Sequence, residues 1–296
     1  MRIRPGSGTL MVLGSAASFG TLPILVKLAY ATGLTPFQTL AFRFLFAAAG
    51  LHLLAWLRGE HVFSVGARRL IQFLLLGVVG YAAQSAAFFG ALCCLPASLV
   101  ELIAYIYPSL VALGAWLIFR RSIGPSRVIA LGVSFGGLAL LVGGVKLQAG
   151  FPLVLAIASP VFYAMYILAG ERLMRGASAL TASTLVHTGA GITFGVLLLL
   201  LPGQPHIPRN PASWPVLVLV AVIPSMVAIS LFLAGLPRIG APQAALLSTF
   251  EPVVTVTLAV ILLGDRLSPV QLLGAAAVVL AVVVSQLGRG GQTDRP

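Results

Sequence analysis

The chain alternates long apolar runs with short polar breaks, and ten such runs can be read at 9–29, 36–57, 70–91, 97–119, 127–145, 152–170, 181–201, 214–236, 241–263 and 269–287. Runs of about 20 residues match the thickness of a bilayer's hydrocarbon core when wound into a helix. Barrel strands would alternate apolar and polar residues at every second position, and these runs do not, so helices remain as the spanning structure. Prolines mark where new helices should begin, at Pro36, Pro125, Pro152, Pro215, Pro242 and Pro269, because the first turn makes no use of the amide that proline lacks. Pattern alone therefore predicts an all-α membrane protein of ten transmembrane helices.

The runs also repeat. Residues 76–125 lie over residues 220–269 without a gap at an offset of 144, which sets Phe88 on Phe232, Leu92 on Leu236, Pro108 on Pro252 and Pro125 on Pro269. Ser15 to Phe19 lies near Ala158 to Phe162 at an offset of 143. Two five-helix units follow, 7–147 and 149–288, joined near Gln148 to Phe151. Five is odd, so the second unit must enter the membrane with the opposite orientation to the first. Inverted repeats of this kind in secondary transporters place a site at mid-membrane between the halves, with alternating access around it. The expectation is two inverted five-helix repeats around a central cavity.

Composition agrees with a lipid setting. Of 296 residues 59% are hydrophobic and 8% charged, and the mean hydropathy is +1.07, which excludes an ordinary soluble domain. A net charge of +12 would suggest nucleic acid on a soluble chain. Here thirteen of the eighteen basic residues fall on loops of one side, among them Arg2, Arg4, Arg58, Arg68, Arg69, Arg120, Arg121 and Arg238, while Lys27, Lys146, Arg209 and Arg266 fall on the other. This is the positive-inside pattern, with both termini cytoplasmic in a cell (inner) membrane and no nucleic-acid partner. Arg2 and Arg4 ahead of Ser15-Ala16-Ala17-Ser18 resemble a signal peptide, but the apolar run continues past any cleavage site and is read as the first span. Cys93 and Cys94 are adjacent, which is no zinc spacing, and are expected to be small apolar fillers. No metal, cofactor or nucleotide is expected, since Gly136-Gly137 and Gly143-Gly144 lack the lysine and threonine of a P-loop.

Several stretches resemble a known family. Ala41-Phe42-Arg43-Phe44-Leu45-Phe46-Ala47-Ala48, Phe89-Gly90-Ala91-Leu92, and above all Glu251-Pro252-Val253 followed by Leu263-Gly264-Asp265-Arg266-Leu267-Ser268-Pro269 are similar to the EamA half-domains of the drug/metabolite transporter superfamily. The likeness covers nearly the whole chain, twice. The first half departs from it, with Tyr107 at the glutamate position and Arg120-Arg121 where Gly264-Asp265 stand, so charge roles do not carry across the halves. Tyr105-Ile106-Tyr107-Pro108-Ser109-Leu110 is similar to the aromatic-rich segment of YddG-like amino-acid exporters. The resemblance implies a ten-helix basket that exports amino acids or related metabolites, or alternatively nucleosides or cationic drugs.

Among the acidic residues only Glu101 and Glu251 lie well inside spans. An ionised side chain at mid-bilayer costs about 2.5–3.5 kcal/mol, so each should face a cavity or a partner. Glu101 shares a predicted helix face with Tyr105 and Pro108; it reads either as a substrate-amine contact or proton acceptor, or as a structural carboxyl, protonated or paired with Arg43. Arg43 is the one basic residue deep in a span and must pair, snorkel or bind an anion. Pro108 and Pro252 each remove a hydrogen bond, to the carbonyls of Ala104 and Ser248, and read as paired gating kinks or as static bends. Pro23, Pro160 and Pro224 read as structural kinks. Tyr81, Gln84 and Phe88 occupy one face of the third span, and Tyr163 and Tyr166 one face of the sixth; with Ser248 they are candidates to line the cavity, packing being the other reading.

His187 reads as a hydrogen-bonded packing residue. Gly132 and Gly136, Gly191 and Gly195, and Gly274 with Ala277 and Ala281 make small-residue seams for internal packing or for a dimer face, leaving the oligomeric state open, a monomer included. A membrane enzyme would need clustered carboxylates, a metal motif or an activated nucleophile, and a channel successive polar rings; the chain offers neither pattern.

Overall fold

A computed structural model describes residues 5–119, 125–143, 150–173, 177–202, 206–239, 244 and 247–287. Arg120, Arg121, Lys146, Arg175 and Pro242 lie outside these residues. Among the described residues the chain is helical and holds no strand. Among the described residues seven helices are long and apolar enough to cross a membrane, and three shorter apolar helices, Val128–Leu141, Phe250–Leu263 and Pro269–Val284, stand where the fifth, ninth and tenth spans are expected.

The first span is two pieces, Pro5–Gly20 and Leu22–Ala31, parted at Thr21, with Pro23 in the first turn of the second piece. The second is Pro36–Leu57, opened by a capping box in which the Thr35 side chain accepts from the Gln38 amide and the Gln38 side chain accepts from Thr35 N. The third, Ala67–Leu92, widens into a π-helical stretch at Leu76–Tyr81. The fourth breaks into Ala97–Ala104 and Tyr107–Phe119. The fifth, sixth and seventh are Pro125–Gly143, Gly150–Leu173 and Ala179–Leu200. Pro160 sits inside the sixth helix without interrupting it. The eighth runs Ser213–Ala221 and Ala228–Ile239 around a π-helical stretch at Val222–Val227 that contains Pro224. The ninth resumes at Phe250–Leu258 after a turn at Thr249, and the tenth is Pro269–Leu287.

The packing between the halves obeys the pseudo-twofold that an inverted repeat requires. Spans two and seven, four and nine, and five and ten each pack on their own counterpart. Span one packs on eight as six packs on three, two on eight as seven on three, and one on nine as six on four. Individual bonds follow the same exchange. Ser15 Oγ donates to the Ala228 carbonyl at 2.7 Å, and Gln84 Nε2 donates to Ser159 Oγ at 3.4 Å; shifting 15 and 84 by 144 gives 159 and 228, so these bonds match Ser15 with Ser159, one residue beyond the Ala158 of the sequence overlay. The breaks in spans four and nine, at Tyr105 and Thr249, are also 144 residues apart.

Glycines set the closest approaches, and of those that spacing picks out Gly274 is among them while Gly132 and Gly136 are not. A Cβ on Gly77 would lie 2.2 Å from the Val186 carbonyl, and one on Gly189 2.3 Å from the Leu74 carbonyl, which locks span three against seven. Gly137 and Gly274 meet backbone to backbone where spans five and ten cross, 2.8 and 2.7 Å from each other's carbonyls by the same measure. Gly132 and Gly136 face open space, so the expected seam of span five lies one residue further on. The outer surface carries large apolar side chains such as Leu10, Trp56, Leu199 and Ile261, whereas Ser15, Arg43, Ser98, Glu101, Ser159 and Thr255 are buried. That inversion of the soluble pattern is what a lipid solvent selects. Cys93 and Cys94 are free and exposed beyond the end of span three, and so fill no core.

Candidate functional site

Where spans one, two, three, four, six and nine converge, they enclose a cavity of about 110 Å³. The breaks in the helices place its walls. Span four ends its first piece at Ala104, with the Tyr105 amide still bonded to the Glu101 carbonyl at 2.9 Å, and restarts at Tyr107. The expected continuous face of Glu101, Tyr105 and Pro108 is therefore interrupted. Glu101 and Tyr105 reach the cavity, but the restart turns Tyr107 into it in place of Pro108.

Of the residues singled out by sequence, Tyr81, Gln84, Phe88, Glu101, Tyr105 and Tyr163 line this one cavity, and so do Arg43 and Glu251. Tyr166 stands one layer behind, its ring stacked on Tyr163 at 5.9 Å and on Tyr81 at 5.3 Å. Ser248 is not on the wall. Its carbonyl, which Pro252 deprives of the usual helical partner, accepts from Tyr105 Oη at 2.7 Å. A hydroxyl of one half thus satisfies the carbonyl that a proline frees in the other. Pro252 is buried behind Glu251, and Pro108 lies off the lining.

The wall is aromatic with few charges. Tyr107 meets Tyr163 edge-on at 4.6 Å and Tyr105 at 5.9 Å, so the tyrosines form a connected sheath. Gln84 is held from both sides, donating to Ser159 and accepting from Ser85 Oγ at 3.1 Å. The two carboxyls, Glu101 and Glu251, come from opposite halves and sit beside the helix breaks. Arg43 is 3% exposed; its Nε donates to Ser225 Oγ at 3.3 Å and its guanidinium stands 4.9 Å from the Phe44 ring and 5.3 Å from the Phe89 ring. Among the described residues no carboxylate lies within 4.0 Å of it, so of the alternatives open for Glu101 the pairing with Arg43 is not made. His187 packs on Phe44 and Tyr81 while its Nδ1 meets the Ser183 carbonyl at 2.8 Å.

Phe19, Leu22, Ser85, Phe89, Ala104, Tyr107, Ser159 and Pro160 complete the lining without having been singled out for it. Ser159 was legible, since it precedes Tyr163 and Tyr166 by four and seven residues on one helix face. Tyr107 was not, because its position depends on where span four breaks. Of the described residues, no three His, Cys, Asp or Glu side chains gather as metal ligands.

Comparison with known proteins gives three findings. The model of the EamA-like transporter family matches twice, over residues 6–143 and 150–286. An uncharacterized transporter of Bacillus subtilis (strain 168), YyaM, is 23% identical over 291 residues, covering 93% of this chain and 92% of that protein. A solved crystal structure, 20% identical, superposes with a TM-score of 0.66 over 97% of this chain and 99% of the other, a likeness of fold.

Proposed function

From the premise that this chain belongs to the EamA-like transporter family, we propose that it is a secondary carrier exporting small metabolites, foremost amino acids, by alternating access between its inverted halves. Membership makes it a multi-pass membrane transporter of small molecules and not an enzyme. The amino-acid reading rests on one observation: a single cavity between the halves that joins two carboxyls, Glu101 and Glu251, to an aromatic wall and one guanidinium. The carboxyls suit an ammonium group, the aromatic sheath an apolar or aromatic side chain, and Gln84 a polar edge. A cavity of about 110 Å³ favours a metabolite of few atoms, since pockets for drug-sized ligands run to roughly 300–1,000 Å³. The similarity of residues 105–110 to amino-acid exporters adds weight to this choice over nucleosides and cationic drugs.

In this proposal the membrane is the cell (inner) membrane and both termini are cytoplasmic, an orientation that the distribution of basic loops supports. The matched breaks at Tyr105 and Thr249 act as hinges on which Pro108 and Pro252 bear. Counterflow tests the reading. Proteoliposomes preloaded with an unlabelled amino acid should take up the labelled one faster than empty vesicles do. A panel in which only nucleosides or cationic drugs show such trans-stimulation would overturn it.

A further inference from the structure

We infer that Arg43 is the anchor for the substrate's carboxylate and fixes the direction in which a zwitterion lies across the cavity. This rests on the amino-acid reading above but adds to it a second recognition point at the other end of the substrate.

Arginine keeps its charge in a protein, and a buried guanidinium needs an acceptor for each N–H edge it turns away from water. Arg43 is buried and borders the cavity. Its Nε–H is taken by Ser225 Oγ, and Phe44 and Phe89 cover the guanidinium with their rings. Tyr81 lies beside it. These contacts hold the group in place and offset part of its desolvation. They leave the terminal nitrogens without a carboxylate among the described residues. A planar oxyanion is the ligand that such a donor edge accepts in a bidentate fashion.

Position fixes the direction. Tyr81 and Ser225 are counterparts under the 144-residue offset, and Arg43 stands between them, so the cation sits close to the pseudo-twofold axis. Spans two and seven are related by 143, as their N-caps Thr35 and Ser178 show, so the counterpart of Arg43 is the apolar Val186, with His187 next to it; neither position holds an arginine or lysine. Glu101 and Glu251 approach the same cavity on spans four and nine. A bound amino acid therefore points its carboxylate at span two and its ammonium at the broken spans.

Three isosteres test this by counterflow in wild-type proteoliposomes: leucine, isoamylamine, which lacks the carboxylate, and 4-methylpentanoate, which lacks the ammonium. Isoamylamine should compete with labelled leucine at least about tenfold more weakly than leucine itself, because a site built to bond a polar group rejects the analogue without it. In Arg43→Gln that gap should close to about twofold. Arg43→Lys, which keeps charge but not the planar fork, should raise half-saturation for leucine more than it lowers maximal rate. Should Arg43→Gln fail to fold, the wild-type competition decides alone, since isoamylamine competing within about twofold of leucine overturns the anchor. Failure of the underlying reading looks different. In that case leucine shows no counterflow, while exchange of 4-methylpentanoate that requires Arg43 would still support the oxyanion anchor.

Discussion

The two halves share a backbone and differ in chemistry, and the difference falls where function is expected. Position 107 in the first half and position 251 in the second are counterparts, both on the cavity wall, yet one is tyrosine and the other glutamate. Position 81 is a tyrosine and its counterpart 225 a serine, both within π-helical stretches that flank Arg43. The ends of the molecule diverge as well. Asp265 accepts from Ser98 N at 3.0 Å and from Ser98 Oγ at 2.8 Å, tying the loop after span nine to the start of span four. The counterparts are Arg121 and Pro242, and a proline has no N–H and an arginine no acceptor, so that bond cannot form in the other half. The N-caps of spans two and seven repeat the contrast. Thr35 is answered by its own Gln38, whereas Ser178 and Thr181 donate to Glu60, which lies beyond the end of span two. A duplicated scaffold places side chains in pairs, and this chain fills the pairs around the cavity with unlike residues.

Erasing the difference at the wall should have the largest effect. Glu251→Tyr makes the second half match the first, and counterflow of amino acids should fall by about a hundredfold, near 2.7 kcal/mol, while the purified protein keeps its elution profile. Next come the close crossings. Gly77→Ala, with its Cβ 2.2 Å from the Val186 carbonyl, should lower stability by about 1–3 kcal/mol, read by thermal unfolding in detergent. Gly132→Ala, facing open space, should stay within about 0.5 kcal/mol of wild type. Asp265→Ala removes the acceptor shared by Ser98 N and Oγ and should cost about 1–3 kcal/mol, visible as a lower Tm. Smaller than the Asp265 effect is that of the matched pair Ser15→Ala and Ser159→Ala. Each removes one bond between spans, worth about 0.6 kcal/mol, and similar losses would sharpen the symmetry that unequal ones would break.

Much of this architecture is legible in the amino-acid sequence alone. Span starts at Pro36, Pro125 and Pro269 coincide with helix starts because proline's chemistry is local. The inverted repeat is legible from counting, since an odd number of spans fixes relative orientation. What escapes such a reading is set by contacts across the halves. The interruption at Tyr105–Ile106 turns Tyr107 inward and takes Pro108 off the wall, and helical periodicity assumes an unbroken helix. Gly137 rather than Gly132 or Gly136 meets span ten, because which face of an apolar helix turns to protein and which to lipid leaves no mark when both solvents are apolar. Arg43 is visible as an anomaly, but its partners Ser225 and Phe89 lie on two other spans and only the fold brings them to it.

The most direct test of the carrier account is two-sided labelling of a single cysteine at Ser159, a fully buried residue of the cavity wall, after Cys93→Ser and Cys94→Ser remove the exposed native thiols. In oriented vesicles an impermeant thiol reagent should modify that cysteine from either side, and transported amino acid should protect it. Modification from one side only, unchanged by any substrate that the vesicles take up, would contradict alternating access through this cavity.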